Sequence, residues 1–576
     1  MNQRVQVRES SAEVFLDTLV KLGIRHVFAN AGTDFAPVIE AMLAAREAGR
    51  TLPQFHTIPH ENLAVSMAHG YYLACGEPAA AMVHVTVGTA NALCAIMNAS
   101  RDQVPLLLFA GRTPSTESGH AGSRNASIHW GQDSFDQGGM LREYVKWDYE
   151  LRAGQPVDVV VRRALDIAMS EPRGPVYLTL PRELLGDAAP AGAGELRPRS
   201  AGAIPAVPDA AAMAQAVEWI RSARFPLIIT ASSGRRPENV ALLSDLASRF
   251  GIAVATPGEP GARDVNIPSN HPMYLGQNPP DEIARADVIV ALDCEVPWWP
   301  SVVKPRTDAK LIHIAPDPLY SRYPHRGFAM DLAIAGVSTA ALRMLGDSLA
   351  ATAAQDAAAI ETRKTEIAAI AARRAEQRRA MMAGAAERRP IHPAWVAACV
   401  NAAKAKDAIV VNELGVPMEL LDLQLPRTYI TTSPAAGLGF GLGGALGAKL
   451  GAPDRQVILI VGDGSLMFGN PVAALHVARA DGLPTLTIVM NNGRWHAVHR
   501  STLDMYPAGR AAATEVMPLV ELGPAPDYAA ICRACGGHGQ KVTDPDDLPA
   551  ALQRALDAVD RGQAALLDVM VASAGL

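Results

Sequence analysis

The chain has 576 residues, of which 49% are hydrophobic and 19% are charged, and its formal net charge is −6. This length exceeds what one hydrophobic core covers and predicts about three globular domains. The slightly acidic balance and the lack of dense Lys/Arg runs argue against nucleic acid or an anionic membrane as a partner. Six cysteines are too few for a disulfide framework. The chain opens without an apolar signal core, and no run approaches the roughly 20 apolar residues of a membrane span. We therefore expect a soluble cytoplasmic protein.

Two stretches divide the chain into three parts. Residues 186–208 are rich in Ala, Gly and Pro and predict a linker. Residues 351–390 are Ala-rich with interspersed charges, and they predict an exposed connecting helix followed by an extended segment. The predicted domains are therefore 1–185, 209–345 and 391–576.

Short apolar runs alternate with helical patterns in each of these domains. AAAMVHVTVG (79–88), for example, reads as a buried strand. Strands separated by helices indicate parallel sheets that are covered by helices on both faces. The predicted fold class is therefore α/β, with three doubly wound parallel-sheet domains. Such sheets bind ligands at the carboxyl ends of their strands, so the residues that follow each run are the candidates for function.

The most specific motif lies at two strand ends of the third domain. VILIVGDGS (457–465) contains Gly462, Asp463, Gly464 and Ser465, and LPTLTIVMNNGR (483–494) runs into Asn491 and Asn492. Glycines let backbone N–H groups approach a diphosphate without an intervening Cβ. A carboxylate and an amide oxygen are hard ligands of the kind that Mg²⁺ prefers.

In these residues the chain resembles the thiamine diphosphate (ThDP)-dependent enzymes, whose signature is GDG followed further along by NN. The resemblance implies two cofactors, ThDP and Mg²⁺. It places the metal on Asp463, Asn492 and the main-chain carbonyl of Arg494. The GDG glycines, Ser465 and Asn492 would contact the diphosphate.

The loop SPAAGLG (433–439) resembles the segment that grips the aminopyrimidine of ThDP in this family. By that resemblance Gly437 and Gly439 contact the cofactor, and Leu438 is the apolar wedge that bends it. Asn412, which follows a predicted strand, either contributes to the diphosphate side or caps its own turn.

Two other motifs offer competing interpretations. GFGLGG (439–444) matches the dinucleotide fingerprint G-x-G-x-x-G, and Asp463 ends a strand about 20 residues later. A dinucleotide fingerprint directly follows a buried strand, whereas TYITTSPAAGLGF is polar and interrupted by proline, which favours ThDP. Cys532 and Cys535 form a CxxC, for which a helix that ends at Gly536–Gly537 is preferred to a redox pair.

Glu61 is the predicted activating residue. It opens a helix in TIPHENLAVSMAHGYYLACG (57–76), and the resemblance gives it a hydrogen bond to the cofactor's pyrimidine N1′, which makes the 4′ nitrogen a base. A helix cap or dipole partner is the alternative role. In the family this glutamate and the GDG motif meet across a subunit boundary. A homodimer or homotetramer with active sites at the interface is therefore implied.

Several residues are predicted to line the reaction pocket by resemblance to benzoylformate decarboxylases. Gly32 and Thr33 lie in the first pocket loop, where Gly32 is predicted to contact the cofactor and Thr33 the substrate. His84 matches a proton-transferring histidine. A core histidine inside an apolar strand is the alternative for His84. Residues 296–300, where a second histidine is expected, contain none. This departure weakens any transfer of the aryl oxo-acid activity.

Further pocket residues rest on resemblance to acetolactate synthases and other lyases of the superfamily. Phe135 stands where acetolactate synthases carry a pocket phenylalanine, and His129 lies near a position that other lyases fill with glutamine. Trp495 and His496, just past the metal loop, are predicted to overhang the reacting carbon. Among the histidines, His84 ranks first as a catalytic residue and His129 second.

The resemblance implies an enzyme that makes or breaks a C–C bond next to a carbonyl of a small 2-oxo acid. Carboligation of the acetolactate synthase type is favoured. Decarboxylation of a 2-oxo acid and cleavage of a 2-hydroxyacyl-CoA are alternatives, and Arg235, Arg236 and Lys304 give only weak support for a nucleotide in the latter. A catalytically silent ThDP fold is a further alternative. FAD on the middle domain is possible but not favoured, because no local motif indicates it.

Overall fold

A computed structural model describes residues 9–195, 202–514 and 516–572. The first eight residues lie outside the described part, as does the segment 196–201 of the predicted linker. Among the described residues, no helix combines the length and the apolar composition needed to cross a membrane.

The β-strands are short and mostly buried. In chain order they are β1 His26–Ala29, β2 Gln54–Thr57, β3 Ala79–Val83, β4 Leu106–Arg112, β5 Asp148–Glu150, β6 Val176–Pro181, β7 Pro226–Thr230, β8 Ala253–Thr256, β9 Tyr274–Gln277, β10 Val288–Leu292, β11 Lys310–Ala315, β12 Leu332–Ala335, β13 Ile409–Glu413, β14 Tyr429–Thr431, β15 Val457–Gly462, β16 Leu486–Asn491, β17 His538–Val542 and β18 Ala565–Met570.

The α-helices alternate with these strands. In chain order they are α1 Ser11–Lys21, α2 Ala36–Glu47, α3 Glu61–Cys75, α4 Val85–Arg101, α5 Ile128–Gly131, α6 Val157–Met169, α7 Arg182–Gly186, α8 Ala210–Ser222, α9 Pro237–Phe250, α10 Pro280–Arg285, α11 Ser338–Thr352, α12 Ala357–Gly384, α13 Pro393–Ala403, α14 Phe440–Gly451, α15 Asp463–Phe468, α16 Pro471–Ala480, α17 His496–Met505, α18 Tyr528–Ala534 and α19 Leu548–Asp560.

The strands form three six-stranded sheets whose pairings are parallel throughout. Their strand orders are β2-β1-β3-β4-β6-β5, β12-β11-β10-β7-β8-β9 and β14-β13-β15-β16-β18-β17. The predicted α/β class with three parallel-sheet domains is confirmed. Each order changes direction near its middle: between β1 and β3, between β7 and β10, and between β13 and β15. Parallel sheets open a ligand crevice at such a reversal, outside the carboxyl ends of the two strands.

The described residues fall into two compact units. One contains the first sheet and also helices α14 and α16, and the other contains the second and third sheets. The first sheet buries its core against α1, α2 and α6, with Phe15 and Phe109 packed edge to face at 5.1 Å. The first unit therefore holds the β1/β3 reversal, and the second holds the other two.

Helix α12 differs from the exposed connecting helix that was expected. Ile360, Ile367 and Ile370 are buried in the core of the second sheet. The buried guanidinium of Arg363 donates to the carbonyl oxygens of Ile220, Ala223 and Phe250 at 3.0–3.1 Å. One face of α12 is thus part of the middle domain, because its isoleucines recur at helical spacing among the charges.

The CxxC lies at the end of a helix, as predicted. Helix α18 ends at Ala534, Cys535 caps it, and Gly536 follows with φ +86°. Cys532 is fully buried and Cys535 is partly buried, and both are free thiols. Burial raises the pKa of the Cys532 thiol to about 12, which makes it an inert core residue rather than a redox group.

Candidate active site

Glu61 is the first residue of α3 and is half-buried. The Asn91 side-chain amide donates to Glu61 Oε2 at 2.5 Å. A Cβ at Gly88 would lie 3.3 Å from Glu61 Oε1, so the glycine gives the carboxyl group its space. Both partners come from helix α4. Residues of a neighbouring helix therefore hold the Glu61 carboxyl group. A glutamate that only caps its own helix would not need such contacts.

Helices α3 and α14 approach each other so closely that their backbones are nearly in contact. A Cβ at Gly443 would lie 2.5 Å from Ser66, and a Cβ at Gly447 would lie 2.0 Å from the carbonyl oxygen of Met67. Gly451 faces Tyr71 in the same way at 3.0 Å. The contacts advance in the same direction along both helices, so α3 and α14 run parallel. Their N-terminal ends therefore lie at the same end of the pair.

This packing explains the G-x-G-x-x-G pattern. The glycines at 441, 443 and 444 lie inside α14, not in a phosphate-binding turn, and a Cβ at Gly70 would lie 2.1 Å from the carbonyl oxygen of Gly444. The dinucleotide interpretation of 439–444 is wrong, because these glycines serve close approach of two helices.

The loop predicted to grip the aminopyrimidine leads into α14 and is tied to α4. The Gly437 N–H donates to Asn98 Oδ1 at 3.0 Å, and Asn98 Nδ2 donates back to the Gly437 carbonyl at 2.8 Å. Leu438 is half-buried, and Gly439 caps the helix with φ +83°. This left-handed conformation favours glycine. The loop and Glu61 thus lie at the same end of the α3/α14 pair.

His84 lies at the carboxyl end of β3, not inside the strand. The strand predicted over 79–88 stops at Val83, and α4 begins at Val85 with φ +32°. This value is strained for a β-branched residue. The sharp turn projects the His84 side chain at the β1/β3 reversal, so the alternative of a histidine enclosed within the strand does not hold.

A buried carboxylate holds the imidazole of His84. Asp34, which follows β1, has 3% of its surface exposed, and its Oδ1 lies 2.5 Å from His84 Nδ1. This hydrogen bond is the main cause that raises the pKa of His84, with burial opposing it and the charge of Glu61 adding to it. Asp34 was not among the residues predicted to line the pocket. Its place in the pocket loop just after Thr33 was the available signal.

Two glycines create the space for this Asp34–His84 pair. A Cβ at Gly32 would lie 2.0 Å from His84 Nδ1, and a Cβ at Gly111 would lie 1.8 Å from Asp34 Oδ2. Gly32 was predicted to contact the cofactor. In the structure its lack of a side chain makes room for the histidine ring.

Thr33, His84 and His129 line one narrow cleft in the first unit. The other lining residues are Asp34, Val85, Arg112, Thr113, Pro114, Gln132 and Arg182. The structure thus brings together three of the predicted pocket residues. Phe135 does not join them, because its side chain is fully exposed and it follows the short helix α5 on a loop. It is a pocket residue only if another chain covers it.

His129 is 3% exposed, and its Nδ1 accepts from the backbone N–H of Asn125 at 3.2 Å. Burial lowers its pKa, and the positive charges of Arg182 and Arg124 lower it further. A neutral imidazole with one nitrogen already occupied is suited to shape the cleft. The higher pKa of His84 makes that residue the better proton donor.

Asp463 lies at the β13/β15 reversal of the third sheet and is 3% exposed. Its two carboxylate oxygens accept from the backbone N–H groups of Gly464 at 2.9 Å and Gly493 at 2.8 Å. Burial, with Asp568 contributing, raises the pKa of Asp463. The Gly464 N–H was expected to face a diphosphate, but it is already used by this carboxylate.

The second strand end supplies amide oxygens beside Asp463. Asn491 donates to Asp568 at 2.8 Å, and Asn492 Oδ1 accepts from the Arg494 N–H at 3.0 Å. Asn491 Oδ1 and Asp568 Oδ2 are buried and have no hydrogen-bond partner within the described residues. The described residues hold no group of three His, Cys, Asp or Glu suited to a metal. Unpaired hard oxygens next to a buried carboxylate nevertheless fit a Mg²⁺ site that a diphosphate completes.

The opposite wall of this reversal leaves open space. A Cβ at Gly462 would meet only Leu414, at 3.4 Å, and Leu414 has φ +54°. Asn412 does not face this space. The Val416 N–H donates to Asn412 Oδ1 at 3.1 Å. Asn412 Nδ2 donates to the Val416 carbonyl at 2.8 Å and to the Tyr429 hydroxyl at 3.1 Å. Asn412 therefore closes its own turn, which is the alternative role foreseen for it.

The residues beyond the metal loop pack on the GDG turn. A Cβ at Gly464 would lie 2.2 Å from the Trp495 ring, which also meets Phe468 edge to face at 5.9 Å. Ser465 is buried beneath this turn. His496 begins α17 half-buried, and burial lowers its pKa, aided by nearby positive groups. Trp495 thus packs on the GDG turn.

Sequence comparison identifies all three sheets with parts of one enzyme family. Models of the thiamine pyrophosphate enzymes match residues 10–140 as the N-terminal TPP binding domain, 213–345 as the central domain and 415–569 as the C-terminal TPP binding domain. Thiamine pyrophosphate is another name for ThDP.

Two relatives cover nearly the whole chain. The benzoylformate decarboxylase of Pseudomonas aeruginosa is 28% identical over 516 residues, which is 87% of this chain and 89% of the relative. The acetolactate synthase large subunit of Parasynechococcus marenigrum is 27% identical over 565 residues, covering 94% and 86%. Among solved structures, the benzoylformate decarboxylase of Polynucleobacter necessarius matches with a TM-score of 0.78 at 20% identity, over 98% of this chain and 99% of that one. The structural match shows a shared fold. Because the matched family segments cover most of the chain and include both cofactor-binding domains, the chain belongs to the ThDP-dependent enzymes of the acetolactate synthase and benzoylformate decarboxylase type.

Proposed function

We propose that this enzyme decarboxylates a 2-oxo acid and releases an aldehyde, with His84 as the proton donor. The observation that carries this proposal is the Asp34–His84 pair in the cleft beside Glu61. An aldehyde-forming decarboxylase must deliver a proton to the carbon that loses CO₂. A histidine with a raised pKa, held at a strand end in a cleft, fits that task.

The residues of the first unit divide the work between activation and proton delivery. ThDP, when bound, supplies the electron sink that lets the bond between the carbonyl carbon and the carboxylate break. Glu61 would hydrogen-bond the pyrimidine ring of the cofactor and favour the form in which its exocyclic nitrogen is a base, and Asn91 holds the Glu61 carboxyl group in place. His84 Nδ1 is committed to Asp34, so its Nε2 is the atom that exchanges a proton with substrate.

Mg²⁺ is proposed as the second cofactor, held by Asp463, an amide oxygen of the Asn491–Asn492 pair and the main-chain carbonyl of Arg494. The buried and unpaired Asn491 Oδ1, at the end of the strand that leads into this turn, supports the assignment. The ion would offset the negative charges of both the diphosphate and Asp463. It would thereby reduce the free-energy cost of burying the Asp463 carboxylate. Gly462 leaves the space beside it open for a phosphate group.

Carboligation of the acetolactate synthase type, favoured by the sequence, is the second candidate. The relative named acetolactate synthase supports it, and the same cleft would then receive an acceptor carbonyl. Cleavage of a 2-hydroxyacyl-CoA is less supported, because Arg235, one of the basic groups expected for a nucleotide, is paired with Asp264 at 3.0 Å. A silent fold is disfavoured because the enzyme family is established and Glu61 and Asp463 are both present.

A homodimer, or a tetramer built from it, is proposed as the working assembly, with each site formed between chains. Exposed apolar side chains close in sequence to cleft-lining residues support this proposal: Val87 is 47% exposed, Trp130 49% and Phe135 fully. Clustered exposed apolar residues are typical of a surface that another chain covers.

The experiment is a panel of 2-oxo acids incubated with ThDP and Mg²⁺, in which CO₂ release is measured with and without an acceptor aldehyde. Decarboxylation predicts CO₂ and free aldehyde in equal amounts without any acceptor. A His84→Ala variant should lose aldehyde release while still binding ThDP. CO₂ release that depends on the acceptor would favour carboligation instead, and no release with any 2-oxo acid would reject the proposal.

A further inference from the structure

Arg182 is a buried cation in the wall of the cleft. It begins helix α7 directly after β6, and 8% of its surface is exposed. Its guanidinium donates to the carbonyl oxygens of Gly122 and Ser123 at 2.8 Å and more weakly to that of Thr33 at 3.4 Å. A guanidinium carries five N–H donors. These bonds use three of the five hydrogens, so one hydrogen on each terminal nitrogen has no acceptor among the described residues.

No carboxylate neutralises Arg182 in the described part of the chain, in contrast to the arginines around it. Arg112, in the same cleft wall, lies 3.3 Å from Asp133 and 3.5 Å from Glu150. Arg124 lies 2.5 Å from Asp133. The other acid of the cleft, Asp34, is paired with His84. Arg182 is therefore a buried cation of the cleft wall that has no ion-pair partner within the described residues.

We infer that the cleft binds an anionic group, a carboxylate in the first instance, through the free N–H groups of Arg182. This inference rests on the proposed function and deepens it, because it names the substrate class. Burying an unpaired charge is costly, and a bound anion would remove that cost. The planar guanidinium also fits a carboxylate better than a single ammonium group would.

The carboxylate that Arg182 binds is one that the reaction leaves unchanged. A guanidinium that binds the departing carboxylate stabilises the substrate but not neutral CO₂, so it would slow the bond cleavage. The same contact is productive for a carboxylate that stays in place throughout. That group is either a second carboxylate on the 2-oxo acid that reacts or the carboxylate of an acceptor molecule, and the chemistry of binding is the same for both.

The direct test is equilibrium binding to the ThDP- and Mg²⁺-loaded enzyme, which requires no turnover. Calorimetric titration would compare acetate and benzoate with their uncharged isosteres acetamide and benzamide. Wild type should prefer each carboxylate to its amide. Arg182→Met should weaken carboxylate binding about tenfold or more and leave the amides unchanged, and Arg182→Lys should keep part of the preference. Arg124→Met is the matched control, since Arg124 is already neutralised, and it should keep the full preference.

Equal carboxylate binding in wild type and Arg182→Met, or no preference for carboxylates in wild type, would overturn the inference. A melting temperature recorded for each variant identifies loss of folding, and in that case Arg182→Lys decides. An Arg182→Lys variant that folds normally but binds carboxylates no better than amides also counts against the inference.

Turnover then distinguishes the two sources of the carboxylate. In one arm 2-oxoglutarate is compared with its 5-amide as the sole substrate. In the other arm pyruvate is supplied with glyoxylate or acetaldehyde as the acceptor. The arm in which wild type prefers the charged compound, and Arg182→Met does not, identifies the source. Failure of both arms with intact carboxylate binding would reject the proposed function and leave the anion site standing, whereas turnover without any charge preference in either arm would reject the anion site as a substrate site.

Discussion

Replacing Asp34 with Asn removes one charge from the cleft and keeps the shape of the side chain. Asp34 Oδ1 lies 2.5 Å from His84 Nδ1, and the carboxylate is almost completely buried. An amide can donate to Nδ1 as well as accept from it, so it no longer enforces the tautomer with the proton on Nδ1. The uncharged amide also no longer stabilises the imidazolium.

The size of the effect follows from the kind of hydrogen bond that is lost. A hydrogen bond to a charged group contributes about 1.5–3 kcal/mol, and each 1.36 kcal/mol changes a rate about tenfold. If the imidazolium donates its proton in the slow step, Asp34→Asn should lower kcat/KM by about ten- to a hundredfold. Because Asp34 is the main cause of the raised pKa of His84, the variant should also lower that pKa.

The assay is the pH dependence of kcat/KM for CO₂ release. Activity that needs protonated His84 falls as the pH rises through its pKa, so a lower pKa moves this descending limb towards lower pH. A fully structural role for Asp34 would reduce activity without moving the limb. Asp136→Asn is the matched control, since that carboxylate is exposed and paired with Arg142. Superimposable profiles for wild type and Asp34→Asn would refute the role of the pair.

Three further predictions test other parts of the structure. Gly32→Ala should displace the His84 ring and reduce activity strongly with little loss of ThDP affinity, because its Cβ would lie 2.0 Å from that ring; unchanged activity would show that the ring is free to move. Mixing inactive Glu61→Gln and Asp463→Asn subunits should restore about a quarter of wild-type activity if random dimers form sites between chains, whereas no recovery would place both residues of a site on one chain. Burial raises the pKa of Glu259 to about 7, although the Met418 N–H, which donates to its carboxylate at 2.7 Å, lowers that pKa. The free energy of unfolding should therefore fall as the pH rises from about 4.5 towards 7. Glu259→Gln should therefore raise the free energy of unfolding by about 1–2 kcal/mol at about pH 8, after discounting for partial solvent exposure, and leave it unchanged at about pH 4; a difference at the lower pH would point to another cause.

The sequence predicted the layers of this protein because parallel sheets leave a strong pattern of apolar runs. It misjudged β3 because Val85, Thr86 and Val87 are β-branched and extend the run, while the packing of α4 makes them helical. Local propensity is overridden there by tertiary contacts.

The candidate site could be predicted where a residue type is itself the signal, and Glu61 and Asp463 were proposed on that basis. It was missed where the role depends on a neighbour distant in sequence. Asp34 meets His84 across 50 residues, and Arg182 joins the cleft from the end of β6. Gly464 was predicted to face the diphosphate and Gly32 to contact the cofactor, and the structure places side chains distant in sequence, Trp495 and His84, in the space beside them.

The glycine contact between α3 and α14 has a consequence for how this enzyme can evolve. Where backbone touches backbone, no side chain can shift to absorb a change, so even an added methyl group must push the helices apart. Glu61 begins one of these helices and the Gly437–Gly439 loop leads into the other. Substrate preference can therefore drift through the cleft walls, whereas the spacing between acid and cofactor loop is fixed by the main chain itself.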